Sequence, residues 1–450
     1  MPENCLSEPN HKALCKPSRY KYRGGALILI LLTLVFHIMF ITPYLTEPIG
    51  GAIAFFTLPL IVELAALTLA SCLPKRSRVN PCAAAPIRLA VLIPAHNEEV
   101  LIASCVESLR LSGSESRTRI IAVAHNCSDR TADRAAKAGA EVIVYDDPQA
   151  RGKGAALAFG FAYALSQNMD AALVVDADST VSRNLIGVVQ DALASGAEAV
   201  QCRYEMESSS TRPTTRLISL AFRGFNVVRP AGRDRLGLSA GILGNGFAIR
   251  QTLLAENPWN SLSVVEDLEF HIKLVLSGKK VRFLNQAKVS SALPSTKDGE
   301  TTQRARWEGG RANAALTWLP LLFRELTRGR LRALEPMFDL ASLPIGYGAF
   351  LLLLAASLPL GWLRIYALMA FIAIGCHVLT AAWSGADFAG DLRILARAPG
   401  YLIWKLCMLP RLLRSSREGA AWVRTERPMS ALEPIVEPNG VSIGSSLEVS

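Results

Sequence analysis

LVVDADS, residues 173–179, runs three apolar residues straight into Asp176 and Asp178. Leu173, Val174 and Val175 suit a buried strand. The two acids do not, because Asp is strongly hydrated and depleted from strands. The stretch therefore reads as a strand that stops where the carboxylates begin. Upstream, RLAVLIP (88–94), RIIAVA (119–124) and EVIVY (141–145) are further short apolar runs. Between them lie helical patterns at 97–111, at 128–138 with Ser128 as N-cap and Gly139 as stop, and at 154–166. Strands alternating with helices predict an α/β fold, a doubly wound sheet with crossover helices.

In such a sheet, ligands bind beyond the carboxyl ends of the strands. Those ends carry AHNEE (95–99), AHNCSD (124–129), ARGKG (150–154) and DADS (176–179). Polar or glycine-rich loops gathered at one edge predict a single site for a polar, phosphorylated ligand. Asp176 and Asp178 offer hard oxygens of the kind that hold Mg²⁺ or Mn²⁺ together with ligand phosphates. Taken alone, D-x-D would equally be a solvated turn.

The chain has 450 residues, 50% of them hydrophobic, and a formal net charge of +10. Its mean hydropathy of +0.27 is high for a soluble enzyme, and the apolar residues gather toward the two ends. Residues 25–45 and 53–73 each approach the roughly 20 residues that cross a bilayer as a helix. TEPIGG (46–51) reads as a turn-forming link between them. Lys12, Lys16, Arg19, Lys21 and Arg23 precede this pair, KRSR (75–78) follows it, and the link has no Lys or Arg. That pattern predicts a hairpin with both ends, including residues 1–24, in the cytoplasm. A mixed, soluble section occupies 86–315, and a membrane-interface segment 316–337.

A second apolar pair, 338–358 and 363–383, is joined through Gly361 and Trp362 and preceded by Arg324, Arg328, Arg330 and Arg332. Residues 392–417 carry Arg393, Arg397, Lys405, Arg411, Arg414 and Arg417, which suits an interfacial helix better than a span. Residues 426–450 have the composition of a disordered tail. His37 and Glu63 fall at similar depth in the first hairpin. An ionisable group in a span costs about 2.5–3.5 kcal/mol on insertion scales and usually finds a polar partner. The two are expected to pair, with a protonated Glu63 facing the bundle interior as the alternative. The nine cysteines include no CxxC, so neither a disulfide framework nor a zinc site is expected. Juxtamembrane arginine accounts for the positive charge through anionic membrane lipids, not nucleic acid. The expected location is the bacterial inner membrane with the soluble section cytoplasmic.

AHNEE, HNCSD, RGKG, DADS, VED (265–267) and QRARW (303–307), in this order across residues 88–320, resemble the motifs of membrane-bound, inverting family 2 glycosyltransferases, a group that includes processive polysaccharide synthases. The resemblance implies a GT-A fold, a nucleotide-sugar donor (foremost a UDP-sugar), Mg²⁺ or Mn²⁺ as cofactor, and a lipid-linked or saccharide acceptor. By position it implies that Asp178 ligates the ion and that Asp176 contacts ribose or diphosphate beside it. It places Asn97 and Glu98 in the nucleoside pocket, with Asn126 and Asp129 also on the donor. Lys153 would lie close to the nucleotide, or be a solvated loop lysine. Asp267 would be the general base, and Glu266, Trp307 and Gly244 would meet the acceptor.

These roles make chemical sense. Inverting transfer needs a carboxylate to take the proton of the attacking hydroxyl, although an acid at a helix start is also what the helix dipole favours. Arg306 can fork onto diphosphate oxygens, Gln303 can donate to a phosphate or hydroxyl, and Trp307 offers a flat face for a sugar ring. Gly241, Gly244 and Gly246 either admit the acceptor close to backbone or form a turn. One departure stands out. His125 occupies the place of an acid that in the family contacts the base, and a neutral imidazole donates through one nitrogen only.

Two other functions remain open at this level. One is a processive synthase; the other is a non-catalytic nucleotide-sugar-binding subunit of a synthase complex. Asp178, Asp267 and Arg306 favour an enzyme. Four expected spans, the second pair strongly apolar, favour adding one or a few sugars over extruding a polymer. A homodimer or a synthase partner would supply further helices.

Overall fold

The computed structural model describes residues 43–74 and 86–411, apart from 114, 151, 208–212, 261–262 and 295. The segment 1–24, nearly all of the expected first span with His37, residues 412–417 and the tail 426–450 lie outside the described residues.

The strands are β1 (Leu89–Ala95), β2 (Thr118–His125), β3 (Glu141–Tyr145), β4 (Ala171–Val174), β5 (Ser179–Val181), β6 (Ala199–Glu207), β7 (Phe247–Arg250) and β8 (Val281–Ala292). They form one sheet in the order β3-β2-β1-β4-β7-β6-β8-β5. The four strands expected from sequence make its parallel half, with Leu92 of β1 level with Ile121 of β2 and Val174 of β4. The other half is mixed. β7 runs antiparallel to β4 and β6, β6 is parallel to β8, and β5 is antiparallel to β8.

Helices cover both faces, as the continuous apolar runs require. The first is α1 (Pro43–Ser71), ahead of the sheet. Then come α2 (Ile102–Arg110), α3 (Thr131–Lys137), α4 (Lys153–Ser166), α5 (Leu185–Ala194), α6 (Pro213–Arg223), α7 (Arg229–Leu236), α8 (Gln251–Glu256) and α9 (Glu266–Leu276). Leu89, Val91 and Ile93 pack with Ile102 and Val106 of α2, while Ala90 and Leu92 pack with Leu157 and Phe161 of α4. Full burial of each such leucine or isoleucine stabilises by about 1.5–3 kcal/mol. α3 begins at Thr131, not near Ser128, because the Asp129 carboxylate accepts from the Thr131 N–H at 2.9 Å and ends the preceding turn there.

After β8 the chain is helical: α10 (Lys297–Thr327), α11 (Leu334–Ala341), α12 (Ile345–Ser357), α13 (Gly361–Trp383), α14 (Phe388–Ile394) and α15 (Ala398–Cys407). Two described helices, Thr46–Ser71 and Gly361–Trp383, are long and apolar enough to cross a membrane. Three expectations are corrected here. TEPIGG is not a turn but part of α1, whose Gly50 sits so close to Leu360 and Leu363 that a Cβ would meet them at 2.8 and 3.1 Å. The glycine serves helix packing. The apolar run 338–358 is not a straight span. It bends by 76° between α11 and α12, at Ser342-Leu343-Pro344, where the residue before proline is driven out of helical geometry. Gly361 and Trp362 open α13 instead of linking two spans. The basic segment 392–417, in its described part, falls on two short helices, α14 and α15.

Glu63 has partners other than the one expected. Its Oε1 lies 2.6 Å from both Arg229 and Arg233, and its Oε2 accepts from the Ser342 hydroxyl at 2.5 Å. Asp339 lies 2.8, 2.6 and 3.0 Å from Arg229, Arg233 and Arg311. All five charged groups are largely shielded from solvent. They come from α1, α7, α10 and α11, so one cluster joins the span to the sheet domain. Gly232 lets α7 lie against the α1 backbone at Leu67, where any side chain would clash. Glu63→Ala leaves three arginines around one acid and should cost about 3–5 kcal/mol. Ser342→Ala removes one charge-assisted bond, worth about 2 kcal/mol. Thermal unfolding in detergent should therefore show the larger loss for Glu63→Ala, and equal losses would refute the cluster's role.

Candidate active site

The site lies at the carboxyl edge of β1, β2 and β4. Because β7 is antiparallel to β4, its amino end, with Gly244 and Asn245, reaches the same edge. Val174 pairs with Phe247, and the Gly246 N–H donates to Val174 O at 2.9 Å. Gly244 has φ +75, and a Cβ there would stand 3.0 Å from Asp267 Oδ2. Glycine is needed on both counts, conformation and space. Asp267, in the first turn of α9, is thus laid over the start of β7. Lys153, at the start of α4, donates to Asp176 and to Gly244 O at 2.5 Å. Asp176, Gly244, Asp267 and Lys153 therefore form one constellation.

Asp178 is buried and accepts from the Ser179 hydroxyl at 3.2 Å. Beneath both acids runs a buried polar brace. Asn245 accepts from the Asp176 N–H at 3.1 Å and donates to the Ser179 hydroxyl at 2.9 Å, and Ser179 pairs with Ser291 at 2.7 Å. Gln201 donates to Asn245 O at 2.7 Å and accepts from the Leu243 N–H at 2.9 Å. Sequence reasoning missed Asn245, Gln201 and Ser291. A glutamine inside the apolar strand AVQCRY was the available signal, since a buried amide demands partners.

Burial governs the electrostatics of the acids. Burial, reinforced by neighbouring Asp267, pushes the Glu266 carboxyl up to about 8. Burial also raises Asp267, against hydrogen bonding from the Leu268 N–H and the charge of Lys153. The two carboxyls titrate as a tightly packed pair, and both are held above the ordinary carboxylate range. On α10, burial lowers the Arg306 guanidinium, against the favouring charge of Asp176. QRARW thus brings a cation toward the same carboxylates. Gln303 is buried. Trp307 is half-buried, its ring 6.0 Å from that of Phe222.

Other sequence-predicted residues hold loops. Asn97 and Asn126 both adopt left-handed backbone, at φ 55 and 50. Asn97 accepts from the Ser128 N–H at 2.7 Å, which ties the β1 loop to the β2 loop. Glu98 follows it, its N–H donating to the Thr131 hydroxyl at 2.8 Å. Asn126 spends its side chain on the loop after β3: it accepts from Asp147 N–H at 2.8 Å and donates to Asp147 O at 2.9 Å. Asp129 accepts from the N–H groups of Glu99 and Thr131. Asn126 and Asp129 therefore brace the loops after β1, β2 and β3. His125 is buried and stacked on Tyr145, ring centroids 5.0 Å apart, and Tyr145 stacks on Phe159 at 4.5 Å. Burial lowers its pKa, so it is neutral.

Among the described residues no cluster of three or more His, Cys, Asp or Glu could hold a metal alone. The donor set suits Mg²⁺ or Mn²⁺ that take one or two carboxylates plus ligand phosphates. Asp176, one of the two carboxylates of the D-x-D, is already paired with the Lys153 ammonium.

Residues 90–256 match the family model described as Glycosyl transferase family 2. "Probable glycosyltransferase YdaM" of Bacillus subtilis (strain 168) is 30% identical over 266 residues, 56% of this chain and 60% of its own length. "Glucomannan 4-beta-mannosyltransferase 7" of Arabidopsis thaliana is 26% identical over 238 residues, 50% of this chain and 42% of its own. The chain thus spans about half the length of these relatives. Among solved structures, mannosyltransferase PcManGT from Pyrobaculum calidifontis in complex with GDP-Man and Mn²⁺ aligns over 82% of this chain and 97% of its own, at 16% identity and a TM-score of 0.49. Glucosyl-3-phosphoglycerate synthase from Mycobacterium tuberculosis aligns over 47% and 74%, at 22% identity and a TM-score of 0.32. The fold is of the GT-A type, an α/β mixed sheet.

A pH dependence follows from Glu266. Between its ordinary value of 4.5 and about 8, the unfolded chain has lost this proton while the folded chain keeps it. The native state then binds more protons, so stability falls as pH rises through that window. Glu266→Gln removes this slope. The variant should match the parent near pH 5 and melt several degrees higher at pH 8. A variant less stable than the parent at pH 8 would contradict the assignment.

Proposed function

We propose that this chain is a membrane-embedded family 2 glycosyltransferase, moving a sugar from a nucleotide-sugar donor to a membrane-associated acceptor with inversion at the anomeric carbon. The observation that carries this is the placing of Asp267. Its half-buried carboxylate lies over Gly244, with Lys153 and Asp176 on one side and Glu266 beside it. Desolvation there makes it more basic than a solvated aspartate, as proton abstraction from a hydroxyl requires.

In this reading the acceptor oxygen attacks the anomeric carbon while Asp267 takes its proton. The bond from that carbon to the diphosphate breaks, and the diphosphate leaves with the electron pair. Arg306 and Lys153 face the charge that gathers there. Mg²⁺ or Mn²⁺, held by Asp178 and Asp176, would supply further positive charge. Neutral Glu266 donates a hydrogen bond to the acceptor, and Trp307 gives a ring face for its sugar. Asn97 and Glu98, with the loops braced by Asn126 and Asp129, border the nucleoside, and Gln303 lies beside the diphosphate. A UDP-sugar is the proposed donor. The family model and the curated relatives' names support the reaction class.

The membrane role rests on the two apolar helices, the arginine-rich flanks and the weld through Glu63. We place the sheet domain in the cytoplasm and the chain in the bacterial inner membrane, against anionic lipids. The acceptor is lipid-linked and receives one or a few sugars. Few described helices could wall a polymer channel, and α13 is strongly apolar. A partner synthase or a homodimer would be needed for a processive product.

Purified protein in lipid vesicles, offered a panel of UDP- and GDP-sugars with Mn²⁺ and lipid extract, should release nucleoside diphosphate and label a small glycolipid. Asp267→Asn should cut the rate by roughly 10³-fold or more while still binding donor, and excess chelator should abolish turnover. Full activity of Asp267→Asn would exclude it as the base. A high-molecular-weight ladder made without partners would replace short transfer by processive synthesis.

A further inference from the structure

Lys153 follows Gly152, whose φ of +91 turns the chain so that α4 starts at the site edge. Its ammonium is shared between the Asp176 carboxylate and Gly244 O. Asp267 and Glu266 both feel its charge. The side chain is about one quarter exposed, as is that of Asp176, so the pair is held within the site and not out in solvent. A cation is thus already seated on one of the two carboxylates offered to a metal. A divalent ion bound at Asp176 would lie close to this ammonium, and like charges at such range in a shielded site repel strongly.

We propose that Lys153 is the resident counter-ion of the carboxylate site, holding Asp176 when no donor is bound and surrendering it when a nucleoside diphosphate arrives. The diphosphate offers the ammonium new oxygen partners and brings negative charge for the metal at the same time. Metal and donor are then taken up together, and the metal alone is disfavoured. Lys153 is thus a donor-binding residue that also gates the metal, an account that rests on the donor and metal reading above.

The test is Mn²⁺ binding, read by loss of the free-ion electron paramagnetic resonance signal from full-length protein in detergent. Titrations use Mn²⁺ alone and Mn²⁺ with saturating UDP or GDP. The parent should bind Mn²⁺ alone weakly and much more tightly with the diphosphate. Lys153→Gln should bind Mn²⁺ alone at least tenfold more tightly than the parent, and gain less from the nucleotide. Lys153→Arg, which keeps the charge, should bind Mn²⁺ alone as weakly as the parent, and remains informative if the glutamine variant does not fold. Mn²⁺ affinity unchanged in folded Lys153→Gln, or raised in Lys153→Arg, overturns the inference. If the parent binds no Mn²⁺ even with diphosphate, it is the metal and donor reading that fails.

Discussion

Carboxylates crowded at one edge of a sheet must be neutralised, and the site is built around that requirement. Asp176, Glu266 and Asp267 converge from the end of β4 and from α9, where mutual repulsion would push the elements apart. Three devices keep them together. Lys153 sits on Asp176, Glu266 retains its proton, and Arg306 approaches from α10. The brace of Asn245, Ser179, Ser291 and Gln201 fixes where the carboxylates stand. A buried amide and its hydroxyl partners have little freedom once each donor is matched. An assembly of this kind suits a ligand that brings both phosphate and a metal, because each neutralises part of what the other leaves.

The membrane helices are tied to this site through a second charge problem solved in the interior. Arg229, Arg233 and Arg311 meet Glu63 and Asp339 where α1, α7, α10 and α11 cross. α10 also carries Gln303, Arg306 and Trp307 one to two turns away. Any tilt of α1 or of the α11–α12 bend is therefore carried to the helix that bears QRARW. Buried ion clusters add little net stability over apolar packing, but breaking one is costly. The cluster is thus best understood as fixing geometry between membrane and domain.

Much of this was legible in the chain. Apolar runs that end in polar or glycine-rich loops mark parallel strands meeting a site, and β1 to β4 fall there within a residue or two. The mixed half was not legible. β5 has three residues, and β8 mixes polar and apolar positions because it pairs with both β5 and β6. The TEPIGG segment misled because glycine marks both turns and close helix contacts, and only the neighbour, here Leu360, decides between them. Glu63 was recognised as needing a partner, but its partners come 166 to 279 residues later in the chain, beyond any local pattern. Asn126 and Asp129 sit in a ligand-edge motif yet spend their polar atoms on the fold, which residue type alone cannot reveal.

The central claim is that Asp176 and Asp178 hold a divalent ion against the diphosphate of a nucleotide ligand. Phosphorus electron–nuclear double resonance on Mn²⁺ in the purified protein, with UDP or GDP bound, tests this directly. The account predicts a ³¹P coupling typical of direct phosphate ligation in the parent, lost in Asp178→Ala under conditions where that variant remains folded. A protein-bound Mn²⁺ signal without phosphorus coupling, or one that persists unchanged in Asp178→Ala, would contradict it.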